Sequence, residues 1–410
     1  MVSTFYPPYS FGGDAVYVHR LSQELARRGH EIDVVHCADA YRILQRGPVA
    51  AAPPGHPNIR VHTLRGRAGA LSPLLTQQTG RAILKAGAIR DLVDRGRYDV
   101  IHYHNLSLIG LDVTRFGEAV KLYTTHEHWL VCPMHVLWRN NREACRKRTC
   151  FTCQLVSGRP PQWWRYTTLA DRELSRIDRF LCPSRFTLGK HRELGFRRPM
   201  THLPYFLRRA AHSRVAAPPH SRPYVLFVGR LEKIKGVQDL IRAFRSYRHC
   251  DLAIIGDGTY ERDLRRQADG LQHVHFLGRL PFEAMAAWYQ HAVAVVVPSI
   301  CFEVFGIVIL EGFTMSTPAL VTPFGALPEV IEDSGGGLVY RDDGELIDAV
   351  DRLRLNRPLR DELGRRGFEA YVRLWSEDPH IEGYMRIIQE ARGSGRALRG
   401  ADPLAIGVNG

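Results

Sequence analysis

The sequence lacks any run of about 18 apolar residues, so no membrane-crossing helix is indicated. It also lacks a charged-then-apolar leader, and the two absences together lead us to expect a cytoplasmic protein. In that compartment the eight cysteines are expected as reduced thiols or metal ligands rather than disulfides. No Gly-x-Gly-x-x-Gly is present, which leaves a nicotinamide dinucleotide site unsupported. No nucleic-acid-binding motif appears either, so nucleic acid is not an expected partner. Acidic residues are in deficit: 42 Asp+Glu stand against 56 Lys+Arg, a net charge of +14. Residues 139–209 hold most of the excess, with 17 Lys+Arg against 5 Asp+Glu. That density suits an anionic membrane surface, met from its inner face, or a phosphorylated substrate. A solvated surface is the plain alternative.

What is present is globular: 45% hydrophobic and 24% charged over 410 residues, a length that suits two domains. Short apolar segments at 31–36, 99–102, 122–125 and 179–182 read as strands, as do 224–228, 251–255, 274–277, 293–297 and 319–322. Between the first of them, 14–28 carries Val18, Leu21 and Leu25 at helical spacing and is closed by Gly29. Strands alternating with helices imply parallel sheets covered on both faces, twice over. The expected division is a first Rossmann-like domain over 1–206, with a Cys-rich insertion at about 128–165, then a linker at 207–223 and a second domain at 224–377. A terminal helix at 378–393 is expected to pack back toward the first domain, ahead of a flexible tail at 394–410. The first strand is reduced to Met1-Val2, so either it is very short or the sequence begins inside it.

Residues 300–313 are apolar except for Glu303 and Glu311. An unpaired buried carboxylate costs several kcal/mol or neutralises itself, so both need partners. Sugar and ribose hydroxyls would serve, and a buried salt-bridge network is the alternative. Gly229-Arg-Leu-Glu-Lys-Ile-Lys-Gly236 follows a strand directly and puts Arg230 and Lys235 at the carboxyl edge of a sheet, where such folds bind ligands. Two cations beside a helix start suit a diphosphate, Arg230 as a fork and Lys235 as a point charge. A helix beginning at Gly306 would aim its free N–H groups at the same group. Gly12-Gly13 permits a tight turn and a close ligand approach ahead of a helix. His126 ends a strand at the carboxyl edge of the first sheet, while His102 and His104 have no forced role. Cys132, Cys145, Cys150 and Cys153 fall within 22 residues; the CxxC pair suits a closed structural zinc site, though the remaining spacing is not a standard one. Free thiols and a conditional disulfide stay open.

Taken in order, Gly12-Gly13, Thr125-His126-Glu127, Gly229-Arg-Leu…Lys235-Gly236, Gly256-Asp-Gly258, Pro298-Ser299, Glu303-x7-Glu311 and Pro328-Glu-Val330 resemble the retaining glycosyltransferases of family 4. The resemblance spans roughly residues 3 to 375. It implies a GT-B fold, two facing Rossmann-like domains with a cleft between them. It also implies transfer of a sugar from a UDP- or GDP-sugar to an acceptor hydroxyl with retained anomeric configuration and no catalytic metal. In that family's roles Arg230 and Lys235 hold the donor diphosphate with the backbone of Gly306 and Ile307. Glu303 binds donor-sugar hydroxyls, Glu311 the ribose, and Leu280 lies where the backbone meets the base. His126 contacts the sugar as a catalytic-site residue, and the Gly12-Gly13 loop closes over phosphates and acceptor. The acceptor would be a carbohydrate, a lipid-linked sugar or a small molecule, in polysaccharide, glycolipid or glycoconjugate synthesis. A glycogen-synthase- or phosphorylase-like enzyme and a non-catalytic nucleotide- or membrane-binding module are the other readings. Departures from the family pattern are Gly312 for Ala, Thr317-Pro318 for Gly-Pro, and Gly325-Ala326 for Gly-Gly.

Overall fold

The computed structural model describes residues 1–10, 12–44, 49, 51–66, 68–140, 142–209 and 217–400, the side chains of 282, 283 and 394–400 excepted. The first half supplies β1 (Val2–Ser3), β2 (Ile32–Cys37), β3 (Ile59–Leu64), β4 (Val100–Asn105) and β5 (Val120–Thr124). A small antiparallel hairpin, β6 (Trp138–Arg139) with β7 (Glu143–Ala144), precedes β8 (Arg179–Cys182) and β9 (Met200–His202). The second half supplies β10 (Tyr224–Val228), β11 (Asp251–Ile255), β12 (Val274–Gly278), β13 (Ala294–Val297), β14 (Ala319–Val321) and β15 (Gly337–Val339). The first sheet runs β3-β2-β1-β4-β5-β8-β9 and the second β12-β11-β10-β13-β14-β15. Every pairing in both is parallel.

Strand order reverses beside β1 in one sheet and β10 in the other. A doubly wound sheet opens its ligand crevice at the carboxyl ends of strands at such a reversal. The continuous apolar runs of β10, β11 and β13 are explained by burial under helices on both faces. The first strand is short, yet it sits at the sheet's centre. The Met1 ammonium donates to the Asp33 carbonyl at 2.6 Å, and Thr4 N–H donates to the Asn105 carbonyl at 2.7 Å. These bonds continue a ladder that two residues alone would leave incomplete.

One apolar cluster joins the two sheets, running from Tyr17, Leu21 and Tyr205 to Phe305, Phe313 and Trp375. Leu207, at the start of the expected linker, is buried in it and donates its N–H to the Trp375 carbonyl at 3.0 Å; 210–216 lie outside the described residues. The last helix, Glu377–Gly400, lies against the first domain: Tyr384 OH meets His102 Nδ1 at 3.0 Å and His380 Nδ1 donates to the Pro204 carbonyl at 2.8 Å. It runs on past 393, because glycine inside a helix costs only about 1 kcal/mol relative to alanine. The rest of the expected tail, 401–410, lies outside the described residues. No described helix is long and apolar enough to cross a membrane.

The departure at Gly312 has a packing cause. A Cβ there would lie 2.8 Å from Val295 Cγ2 on β13, so helix Ile307–Thr314 approaches the sheet too closely for alanine. Gly312→Ala is expected to destabilise the protein by about 1–3 kcal/mol, the usual cost of overpacking, read as a lowered midpoint in denaturant unfolding. Thr317, in place of glycine, donates its hydroxyl to the Tyr289 carbonyl at 2.6 Å.

Candidate functional site

The loops leaving β10, β11, β12 and β13 meet at the carboxyl edge of the second sheet. Gly236 closes the loop after β10 against the loop after β13: with φ +76°, a Cβ there would fall 1.8 Å from the Pro298 carbonyl oxygen. That closeness brings Lys235 onto Glu303. Lys235 Nζ donates to Glu303 Oε1 at 2.7 Å and Ser299 Oγ donates to the same oxygen at 2.5 Å. Neither bond uses Oε2, and the Glu303 side chain is 15% exposed. Burial pushes the Glu303 carboxyl up, but the Lys235 ammonium with the Ser299 hydroxyl and the Arg230 charge together outweigh it and the net shift is downward. Lys235 is shifted upward, its burial outweighed by the Glu303 charge. Both directions describe an ionised pair.

Glu303 also fixes the loop after β14, since Ala326 N–H donates to its carbonyl at 2.9 Å. Three residues on, Gly306 precedes helix Ile307–Thr314, whose first-turn N–H groups point into the same corner. Glu311 lies on this helix. Tyr289 OH donates to its Oε2 at 2.6 Å, and Arg20, from helix Gly13–Arg27 of the other domain, stands 3.6 Å from Oε1. Arg230 is half exposed and pairs with Glu232 at 2.7 Å. Leu280 is half-buried beside the shared core, just past β12.

On the facing side Gly12 and Gly13 open helix Gly13–Arg27. Asp14, next in the chain, accepts from Asn105 Nδ2 at 3.1 Å, and the same Nδ2 lies 3.4 Å from Glu127 Oε1. His135 Nδ1 is 2.6 Å from that Glu127 oxygen. Burial first, then the Glu127 charge, pushes the Asp14 carboxyl up to about 6, against the hydrogen bonds it accepts from Ala15 N–H and Asn105 and a weaker pull from Arg230. Asp14 and Glu127 thus share the Asn105 amide at this face of the first domain.

His126 is placed at the strand end as expected, but its ring is committed to protein. Nδ1 meets Tyr205 OH at 2.7 Å and Nε2 meets His104 Nδ1 at 3.1 Å. Burial lowers its pKa to about 3, so the ring is neutral. The domains are tied beside it: Arg185 and Phe186 donate backbone N–H to Glu329, Arg185 pairs with Asp333 at 2.9 Å, and Thr187 donates to the Val304 carbonyl.

In the insertion, Cys132 is buried, and Asn140 N–H donates to Cys153 Sγ at 3.2 Å. Cys145 neighbours Cys150 and Cys153. No three of the four sulfurs lie within 4.8 Å of one another; among the described residues only His220, Asp251 and His275 form such a set. Asp251 there starts β11, at the edge opposite the site, and Arg222 already pairs with it at 3.0 Å. A cavity of about 600 Å³ lined by Arg90, Asp94, Tyr98 and Phe116 also lies away from these residues.

The structure joins Lys235 and Glu303, two of the expected residues, through one carboxylate oxygen together with Ser299 of the Pro298-Ser299 motif, while Asp14, Arg20 and Tyr289 were given no role by the sequence. Asp14 was signalled by its position directly after Gly12-Gly13. Arg20 and Tyr289 carried no local signal, because their meeting with Glu311 is made by tertiary structure.

Comparisons with known proteins bear on this arrangement. The family model "Glycosyltransferase Family 4" matches residues 11–208, and "Glycosyl transferases group 1" matches 222–356. D-inositol 3-phosphate glycosyltransferase of Paenarthrobacter aurescens is 26% identical over 385 residues, covering 86% of this chain and 87% of that protein. Among solved structures, sucrose-phosphate synthase from Thermosynechococcus elongatus superposes with a TM-score of 0.72 at 21% identity, covering 98% of each chain. HepE from Anabaena, solved in complex with UDP, gives 0.66 at 15% identity over 96% of this chain and 98% of that one.

Proposed function

Because the chain is a glycosyltransferase of family 4 with the GT-B fold, we propose that it moves a sugar from a nucleoside-diphosphate sugar to an acceptor hydroxyl with retention of anomeric configuration. The observation that carries this is the ionised Lys235–Glu303 pair beside the helix start at Gly306. A carboxylate whose Oε2 makes no hydrogen bond among the described residues suits sugar hydroxyls. The neighbouring ammonium and N–H groups suit the diphosphate that departs.

Arg230 would leave Glu232 to fork onto the diphosphate, joined by Lys235 and the backbone of Gly306 and Ile307. These fixed positive groups would stabilise the leaving diphosphate without a catalytic metal. Glu311 would take the ribose hydroxyls, held in aim by Tyr289 OH, and the backbone at Leu280 would meet the base. Gly12-Gly13 would close over phosphates and acceptor, with Asp14 and Glu127 orienting the acceptor hydroxyl. His126, neutral and locked to Tyr205 and His104, would shape the sugar site rather than move a proton. The acceptor class proposed is a carbohydrate, lipid-linked or small-molecule hydroxyl, in glycan synthesis at the cytoplasmic side.

Thermal unfolding with a panel of UDP- and GDP-sugars tests the donor class. A true donor raises the midpoint by mass action, about 2.7 kcal/mol of stabilisation at 100 times its Kd, and is cleaved to free nucleoside diphosphate when acceptor is supplied. A panel in which no nucleotide sugar shifts the midpoint would reject the reading.

We also propose that Cys132, Cys145, Cys150 and Cys153 close on one structural zinc. Zn–S bonds of about 2.3 Å would draw the sulfurs to roughly 3.8 Å apart, and the metal's charge would offset the burial that pushes the Cys132 thiol up to about 11. Elemental analysis of the purified protein is expected to give about one zinc per chain, lost in Cys150→Ser with Cys153→Ser. Metal-free protein with four titratable thiols would refute it.

A further inference from the structure

The insertion carries more than its cysteines. Arg165 is half-buried, its guanidinium 4.6 Å from the Trp164 ring centroid and 5.1 Å from that of Trp129, and it donates to the Trp129 carbonyl at 2.8 Å. Trp164 Nε1 donates to the Gln77 carbonyl at 3.0 Å. The short turn Trp163–Tyr166 is therefore pinned by its inner residues, and its outer ones face water: Trp163 is 60% and Tyr166 57% exposed. Helix Cys150–Val156 continues the same face. Phe151 lies 5.7 Å from Trp163, ring to ring, and Leu155 follows one turn along. Leu155 and Val156 are 53% and 62% exposed. Single exposed apolar residues are ordinary, but five of them on two short neighbouring elements joined by the Phe151–Trp163 contact mark a contact surface.

Cations flank this patch on both sides. Arg142, Arg146, Lys147 and Arg148 precede it, Arg159 follows, and all are exposed. The only acid from 142 to 166 is Glu143, which pairs with Arg139. Tryptophan and tyrosine beside aliphatic residues, ringed by Lys and Arg, match the interface of an anionic bilayer. There the rings sit at headgroup depth and the cations meet lipid phosphates.

We propose that the face formed by Phe151, Leu155, Val156, Trp163 and Tyr166 with its basic rim docks the protein on an anionic lipid surface. The insertion leaves the first domain directly after Glu127 and His128, and His128 sits against Phe302 of the loop that carries Glu303. Docking there holds the rim of the site close to the lipid headgroups, where a lipid-borne acceptor would present its hydroxyl. This goes beyond the transfer reaction and does not depend on it.

The test is co-sedimentation with phosphatidylcholine vesicles, with and without about a quarter of phosphatidylglycerol. Wild-type protein is expected to bind the anionic vesicles at low salt, to miss the neutral ones, and to be released at high salt. Phe151→Ser with Trp163→Ser, and separately Arg146→Gln with Lys147→Gln and Arg148→Gln, are each expected to weaken binding at least about tenfold at an unchanged unfolding midpoint. Vesicles should also blue-shift the tryptophan emission of the wild type, and the milder Trp163→Phe should lose that shift, which keeps the test valid if the serine variant folds poorly. Absence of anionic-vesicle binding, as expected if a protein partner covers this face, overturns the proposal. So does binding that both surface variants retain, or a blue shift that survives Trp163→Phe. Donor cleavage, measured separately with a water-soluble acceptor, reports on the transfer reading alone.

Discussion

Glu303→Ala is expected to lower kcat/KM for transfer by about a thousandfold or more, a loss of roughly 4 kcal/mol in transition-state stabilisation. Two effects combine. The carboxylate that would grip the sugar hydroxyls is gone, so the anomeric carbon loses its alignment, and misplacement of about 1 Å alone can cost about a hundredfold. Lys235 also loses its counter-charge. Its ammonium is aimed by Glu303 Oε1 at 2.7 Å, and burial pulls its pKa down against the charge and hydrogen bond that Glu303 supplies. Freed of the carboxylate, the amine drifts toward neutrality just where the leaving diphosphate needs positive charge. Glu303→Gln separates the two effects, keeping the shape and a hydrogen-bond acceptor while removing the charge. It should retain more donor affinity than Glu303→Ala and still transfer slowly. Arg230→Ala, by contrast, removes a half-exposed cation and should mainly raise the donor KM. Wild-type turnover in Glu303→Ala, with an unchanged unfolding midpoint, would sink the assignment.

Local pattern revealed the two-sheet plan because β10, β11 and β13 are continuous apolar runs bounded by turns, and helices separate them. It missed β3, β9 and β15, for physical reasons. In β3, Arg60, His62 and Thr63 interrupt the run and Val61 is 46% exposed, as an edge strand allows. In β15, Gly337 opens a strand of three residues. At the site, chain-local features were legible: two acids in an apolar run, two cations after a strand, a glycine at a helix start. Partners recruited from afar were not. Nothing near Glu311 announces Tyr289 or Arg20, and nothing near His126 announces that Tyr205 and His104 occupy both its nitrogens. The aromatic face of the insertion was hidden as well, since composition shows charge but not which tryptophan turns outward.

Asp14→Asn should separate acceptor handling from donor handling, and the pH dependence tells how. Its carboxyl, pushed up to about 6 by burial and by Glu127, is protonated in the folded chain over part of the range where an unfolded aspartate, near 3.9, has already ionised. Between about pH 4 and 6 the folded state therefore holds a proton that the unfolded state has released, so this group's contribution to stability falls as pH rises through that window. Above pH 6 the folded protein carries the full cost of a crowded, half-buried carboxylate. Asn removes that cost, so the variant should unfold at a higher temperature than wild type at pH 7.5 and match it near pH 3.5. Activity should move the other way. Ionised Asp14 would orient and polarise the acceptor hydroxyl, so wild-type transfer should climb with pH through about 6. Asp14→Asn should lose about a hundredfold in kcat, at the lower end of what a positioned acid or base contributes, and with it the acid limb. Donor binding, read as the midpoint shift with nucleotide sugar, should stay within about twofold, because the contact proposed for Asp14 is with the acceptor hydroxyl. An acid limb that survives in Asp14→Asn would assign the titration to another group and return Asp14 to a purely structural tie with Asn105.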